Sequence, residues 1–242
     1  MTPSAVLEIS GLAKDYRGLR PLRIQQLTVN TSETVAILGF DRASAEVFVN
    51  LVTGATLPEA GAVHVFGRAT SSIADGDEWL STLDRFGIVT DRAVLLEQLT
   101  VVQNLAMPFT LDIEPPSDDL RQRAERLAEE VGLPNESWTR PAAELDPDGL
   151  VRVRLGRALA ADPPLLLLEH VSAGLPGAAA STLGADIRRI ASRRRLTCVV
   201  ATADERFAHT VAARVLKLEA ATGQLVERRT RGWLGWKSGA GL

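Results

Sequence analysis

Residues 36–54 read AILGFDRASAEVFVNLVTG. The stretch opens on an apolar run and a glycine, crosses a short polar segment, and takes up a helical pattern from Ser44 to Thr53. That is the order of a buried strand, a loop able to cradle phosphate, and a helix whose first amides face the loop. Such loops follow GxxxxGK[ST]: glycines let backbone N–H groups approach phosphate, lysine supplies charge, and the hydroxyl holds magnesium. Gly39 stands at the first glycine, but Ser44, Ala45 and Glu46 stand where glycine, lysine and the hydroxyl belong. Two readings follow. In one, backbone contacts over 39–46 still hold phosphate, with Glu46 as a poor magnesium ligand. In the other, Ser44 is the N-cap and Glu46 complements the helix dipole from the first turn, which makes the loop a self-capped turn.

Working outward, the flanking segments alternate between strand and helix. AVLEISGLAK and LRIQQLTVN alternate in hydropathy, ETVAILG is a mostly apolar run, and GAVHVFG is a short strand between glycines. GDEWLSTLDRF is expected as a short helix leading into the strand FGIVT. LTVVQNLAMPF is expected as a helix ended near Pro108, SDDLRQRAERLAEEVGL as a helix closed by Gly132, and DGLVRVRLGRALAADP as a third. PPLLLLE and LTCVVAT are buried strands joined by the helix GAAASTLGADIRRIASRRR, whose basic last turn suits the C-terminal dipole. AARVLKLEAATGQLVER closes the pattern as two hairpin-like strands. The sum is an α/β chain: a core sheet with an N-terminal antiparallel β region and a helical subdomain. The expected division is an α/β lobe over about 5–94 and 161–228, a helical lobe over about 95–160, and a flexible tail at 229–242 carrying Trp233 and Trp236.

Bulk properties narrow the function classes. The chain has 242 residues and a net charge of −3, from 27 basic and 30 acidic side chains, which leaves no overall footprint for nucleic acid. One cysteine, Cys198, excludes an internal disulfide and suits a reducing compartment. MTPSAVLEIS has neither a basic nor an apolar leader region, and no apolar run approaches the length of a membrane span, so the expected location is cytoplasmic.

Several segments in order resemble the ATP-binding subunit of ABC transporters, over about residues 5–228. PAAELDPDGLVRVRLGRALAADPPLLLLEHVSAGLP (141–176) is similar to the family's signature helix, Walker B strand and D-loop. FGIVTDRAVLLEQLTVVQNLAMPF is similar to its Q-loop region, and LTCVVATADERFA to its switch strand. The nearest flavour is that of lipoprotein-release and lipid-transport ATPases. The resemblance implies a P-loop NTPase-like core, ATP and Mg2+ as cofactors, and a vestigial nucleotide site over Gly39, Phe40, Asp41, Arg42, Ala43, Ser44, Ala45, Glu46 and Val47, with Tyr16 at the adenine-stacking position.

At the positions that the resemblance makes chemical, this chain departs. Glu169 keeps a carboxylate at the magnesium-orienting position and is a weak metal candidate. His170 replaces the glutamate that polarises water, Asp91 the Q-loop glutamine, Ala203 the switch histidine and Pro176 the D-loop aspartate. Leu145, Asp146, Pro147, Asp148 and Gly149 stand where LSGGQ caps the γ-phosphate bound to an opposing subunit. Proline there removes a donor and two aspartates repel phosphate. Arg152, Arg154 and Arg157 on the following helix read as a solvated face. The expected function is therefore a non-hydrolysing structural or regulatory subunit, with no intact catalytic residue. Its expected partners are an integral membrane permease docked in the groove beside residues 90–110 and, as a second class, another ABC ATPase subunit. The expected place is peripheral, at the inner face of the membrane. The alternative is an ATP-binding or slowly hydrolysing subunit that energises transport.

Overall fold

The computed structural model describes residues 4–228. The N-terminal alternation becomes β1 (Ala5–Lys14) and β2 (Leu22–Asn30), paired antiparallel with Ile9 opposite Leu27. With β4 (Ala60–Val65) and β5 (Arg68–Ala69) they form a four-stranded sheet in the order β2-β1-β4-β5. The apolar runs build the second sheet from β3 (Thr34–Leu38), β6 (Phe86–Val89), β7 (Leu165–Glu169), β8 (Thr197–Thr202), β9 (Arg214–Glu219) and β10 (Gln224–Glu227). Its order is β10-β9-β3-β8-β7-β6, parallel throughout except for β10, which runs antiparallel on β9.

Every residue of β7 and of β8 is buried, as expected for parallel strands covered on both faces. The period of two divides their side chains between two cores. Val35, Ile37, Leu165 and Leu167 face the antiparallel sheet and α1 (Arg42–Val52). Ala36, Leu38, Leu166 and Leu168 face the opposite way, into a core completed by α3 (Val101–Ala106), α4 (Asp118–Glu130), α5 (Pro147–Leu159), α6 (Gly177–Arg194) and α7 (Glu205–Val211). α2 (Gly76–Leu83) precedes β6 as expected. The basic end of α6 does more than complement a dipole: Arg194 pairs with Glu130 at 2.5 Å and donates to the Leu159 carbonyl at 2.9 Å, tying α6 to α4 and α5.

Two elements differ from the sequence expectation. α1 begins at Arg42, two residues before Ser44, and within the TADERFA segment α7 begins, capped by Asp204 accepting from the Phe207 amide at 2.9 Å. α7 is short, with only Phe207, Ala208 and Val211 buried, so its period is hard to tell from a loop. Trp233, Trp236 and the tail expected at 229–242 lie outside the described residues.

Candidate functional site

Parallel strands bring their carboxyl ends to one edge, where the following loops meet. Here Leu38 is level with Thr202, Glu169 with Ala201, and Val89 with Leu168. The edge therefore gathers the loop after β3 (39–41), the segment after β6 (90–92), and the residues just past β7 and β8. Gly39 to Glu46, Asp91, Glu169, His170 and Ala203 are all delivered to it. β3 lies between β8 and β9, so the strand sequence reverses direction beside this loop, the usual position of a ligand crevice in such sheets.

The loop is organised by its own residues. Gly39 has φ +101°, and a Cβ there would stand 2.8 Å from the Leu218 carbonyl oxygen of β9, so packing alone requires glycine. Phe40 is buried, its ring 5.1 Å from that of Phe48. Asp41, not Ser44, is the N-cap of α1: its carboxylate accepts from the Ser44 amide at 2.7 Å and from the Ser44 hydroxyl at 2.6 Å. The Ser44 hydroxyl in turn accepts from the Asp41 amide at 3.0 Å, closing a reciprocal capping box. A carboxylate three residues ahead of a hydroxyl takes the cap, and Ser44 moves to the third helical position. Chiefly the Ser44 hydroxyl, then the Ser44 amide, hold the Asp41 carboxyl below its ordinary value of 3.8, with a smaller pull from His170. Glu46 falls outside the first turn, so it does not answer the dipole there. Ala43 is exposed, Ala45 is fully buried, and Val47 packs against the core shared by α1 and the antiparallel sheet.

Across the edge, the Glu169 side chain is only 2% exposed and is gripped by Arg92, whose Nη1 and Nη2 donate to its two oxygens at 2.7 and 2.8 Å. The same guanidinium lies 3.1 Å from Glu46. Arg42 pairs with Asp91. Neither arginine's role follows from the linear motif. A buried carboxylate demands a partner, and an arginine adjacent to Asp91 was the available signal. His170 has φ +47°, its amide donates to the Ala201 carbonyl at 2.8 Å, and its Nε2 is buried without a partner. Ala203 is an exposed methyl. Among the described residues, no three His, Cys, Asp or Glu side chains converge as metal donors.

The remaining candidates sit on other elements. Tyr16 packs against the core shared by α1 and the antiparallel sheet, with its ring close over Gly18. Pro176 is the N-cap residue of α6. Asp146 caps α5 by accepting from the Gly149 amide at 2.8 Å, with Pro147 in the first turn and Leu145 packed on the core completed by α3 to α7. Asp148 pairs with Arg152 at 2.8 Å. Arg152 is not on a solvated face. It is 5% exposed, bonds Asp186 at 2.9 Å and the Val131 carbonyl at 2.5 Å, and so ties α5 to α4 and α6. Burial alone would lower its pKa, but the bonds to Asp148 and Asp186 outweigh that and raise it. Arg154 and Arg157 are also turned inward, donating to the Ala93 carbonyl at 3.0 Å and the Val94 carbonyl at 2.6 Å.

The sequence profile described as ABC transporter matches residues 22–171, from β2 through the Walker B position. This chain belongs to the ABC transporter family. As an ABC transporter nucleotide-binding domain homologue, it is 27% identical over 218 residues to the methionine import ATP-binding protein MetN of Brucella abortus (strain 2308), covering 90% of this chain and 58% of that protein. The chain thus spans little more than half the length of that relative. It is 29% identical over 231 residues to the lipoprotein-releasing system ATP-binding protein LolD of Pseudomonas syringae pv. tomato, covering 94% of this chain and all 100% of that one. The fold matches cbiO1 from Clostridium perfringens, part of the ABC transporter complex cbiONQ, with a TM-score of 0.77 at 18% identity over 92% of this chain and 87% of that one. It also matches the ABC cassette MJ0796, in a dimeric post-hydrolysis state bound to ADP and Pi, with a TM-score of 0.73 at 22% identity over 94% and 100% of the two chains.

Proposed function

We propose that this ABC transporter nucleotide-binding domain homologue is a non-hydrolysing structural or regulatory subunit of a membrane transport complex. One observation carries the reading: the two features that would meet a magnesium nucleotide, the α1 N-terminus and Glu169, are already satisfied by the chain's own Asp41 and Arg92. The residues present do not fit the cofactor. Ala45 offers no charge, and Glu46 sets a carboxylate where the family has a neutral hydroxyl. Loss of the lysine contact alone is worth about 1.5–3 kcal/mol, and each ~1.4 kcal/mol is tenfold in affinity. Asp146 and Pro147 at the start of α5 support the same conclusion for the face that would complete an opposing subunit's site.

The partner this reading favours is an integral membrane permease. A groove of about 430 Å³ is lined by Ile88, Ala93, Met107, Pro108 and Leu111, with Arg154 and Arg157 also in its wall. Val94, next in sequence to the lining residue Ala93, is 75% exposed. Exposed apolar side chains around a groove suit a short amphipathic helix. Among the described residues no helix is long and apolar enough to cross a membrane, so association with a bilayer would come through that partner. A second ABC ATPase subunit is the further partner class this reading admits. Calorimetric titration of the purified protein with Mg-ATP, to several millimolar, tests the reading. The expected result is no saturable heat; saturation at micromolar nucleotide would overturn it.

A further inference from the structure

We propose that Arg92 is a built-in occupant of this site, a cation that locks the segment Asp91–Leu96 to the sheet and so holds the adjoining groove in one shape without any ligand. The inference deepens the reading above and rests on it only for the absence of nucleotide. The lock is a separate physical claim.

Its basis is how completely this segment is tied. Asp91 is held by Arg42 of α1. Arg92 forks onto Glu169 at the end of β7 and reaches Glu46 of α1, so one guanidinium ties its own loop to a strand and a helix. The fork needs the planar, multi-donor geometry of arginine. The Ala93 and Val94 carbonyls are each held by an arginine of α5. Leu96 is held at both ends by Asn104 of α3, which is fully buried: its Oδ1 accepts from the Leu96 amide at 2.9 Å and its Nδ2 donates to the Leu96 carbonyl at 2.9 Å. Surface loops ordinarily leave such backbone groups to water. Here side chains of α3 and α5 bind the backbone, and α1 and the sheet hold the side chains of Asp91 and Arg92, while Val94 and Leu96 stay exposed on the outside. A loop with a fixed backbone and free apolar side chains is pre-organised for docking, because its ordering entropy is lost before the partner arrives.

The charges at the site also point to occupation from within. Glu46 and Glu169 both turn to Arg92, and Asp91 turns to Arg42. Ala93, Arg154 and Arg157 belong both to this tether and to the groove wall. Releasing Arg92 therefore reaches the groove through one continuous set of contacts.

Amide hydrogen exchange on the full chain tests the lock, comparing wild type with Arg92→Gln and Arg92→Lys. Exchange over 91–96 should speed up about tenfold in Arg92→Gln, while β3 and β8 stay within about twofold. Arg92→Lys keeps a charge for Glu169 but loses the fork, and should accelerate the same segment about threefold; it also serves if the glutamine variant fails to fold. Wild-type exchange over 91–96 should not respond to about 5 mM Mg-ATP. Unchanged exchange over 91–96 in the folded variants overturns the lock, even if calorimetry finds no nucleotide binding. Faster exchange in the variants sustains the lock even if calorimetry finds binding and the non-hydrolysing reading falls. A wild-type segment that loosens or tightens with Mg-ATP overturns the claim that the groove shape is independent of ligand.

Discussion

Replacing Arg152 with methionine keeps an unbranched apolar stem and removes the guanidinium with its charge. The change would leave Asp148 and Asp186 without the cation they share and the Val131 carbonyl without its 2.5 Å donor. Removing one partner from a buried pair costs about 3–5 kcal/mol. Both carboxylates keep 24% side-chain exposure, and Asp186 retains Arg189 at 3.1 Å, so water and the second arginine recover part of the loss. We therefore expect about 3 kcal/mol for Arg152→Met, close to the lower bound. For a domain of this size, about 2–4 °C per kcal/mol gives a Tm lower by about 6–12 °C. Urea unfolding followed by circular dichroism should show the midpoint falling with an unchanged slope. Adding Asp148→Asn should recover about 1–2 kcal/mol, because the carboxylate left unpaired is then neutral. If Arg152→Met stays within about 0.5 kcal/mol of wild type, the buried tie between α4, α5 and α6 is not what holds them, and Asp148 is free for another role.

Asp41→Ala should destabilise by about 1 kcal/mol through loss of the α1 cap. Because the fold depresses the Asp41 carboxyl below 3.8, its contribution is full above that value and fades as pH falls through the folded-state pKa. The gap between Asp41→Ala and wild type should therefore close in acid, and a gap that widens would contradict the capping role. Gly39→Ala should cost about 2–4 kcal/mol in urea titration, from backbone strain and the approach to Leu218; a neutral result would return Gly39 to a ligand-binding explanation. Cys198, its thiol pushed up to about 12 by burial, should resist a thiol reagent at about pH 8 in the native state and react fully once unfolded. The sign is that of a raised acid: the fold favours the neutral thiol, and stability falls as pH climbs from 9.0 toward that value.

The sequence by itself determined most of the elements and the family. Alternation in β1 and β2, the apolar runs of β3, β7 and β8, and the acidic starts and glycine stop around α4 are local signals, carried by residues a few positions apart. The identities at 44–46, 145–149 and 169–170 were likewise legible, because a motif is a linear pattern. The cap at Asp41 lies within the same short stretch, but Asp41 and Ser44 both cap well and only the backbone geometry at Arg42 separates them. What the tertiary structure alone decided is where the charges go. Arg92 and Glu169 are 77 positions apart, and they meet because β6 and β7 are neighbours in the sheet. Arg152 and Asp186, 34 apart, meet because α5 packs against α6. An arginine looks alike in sequence whether it ends in solvent or between two carboxylates. Burial sets the difference, and burial follows from strand order and helix packing.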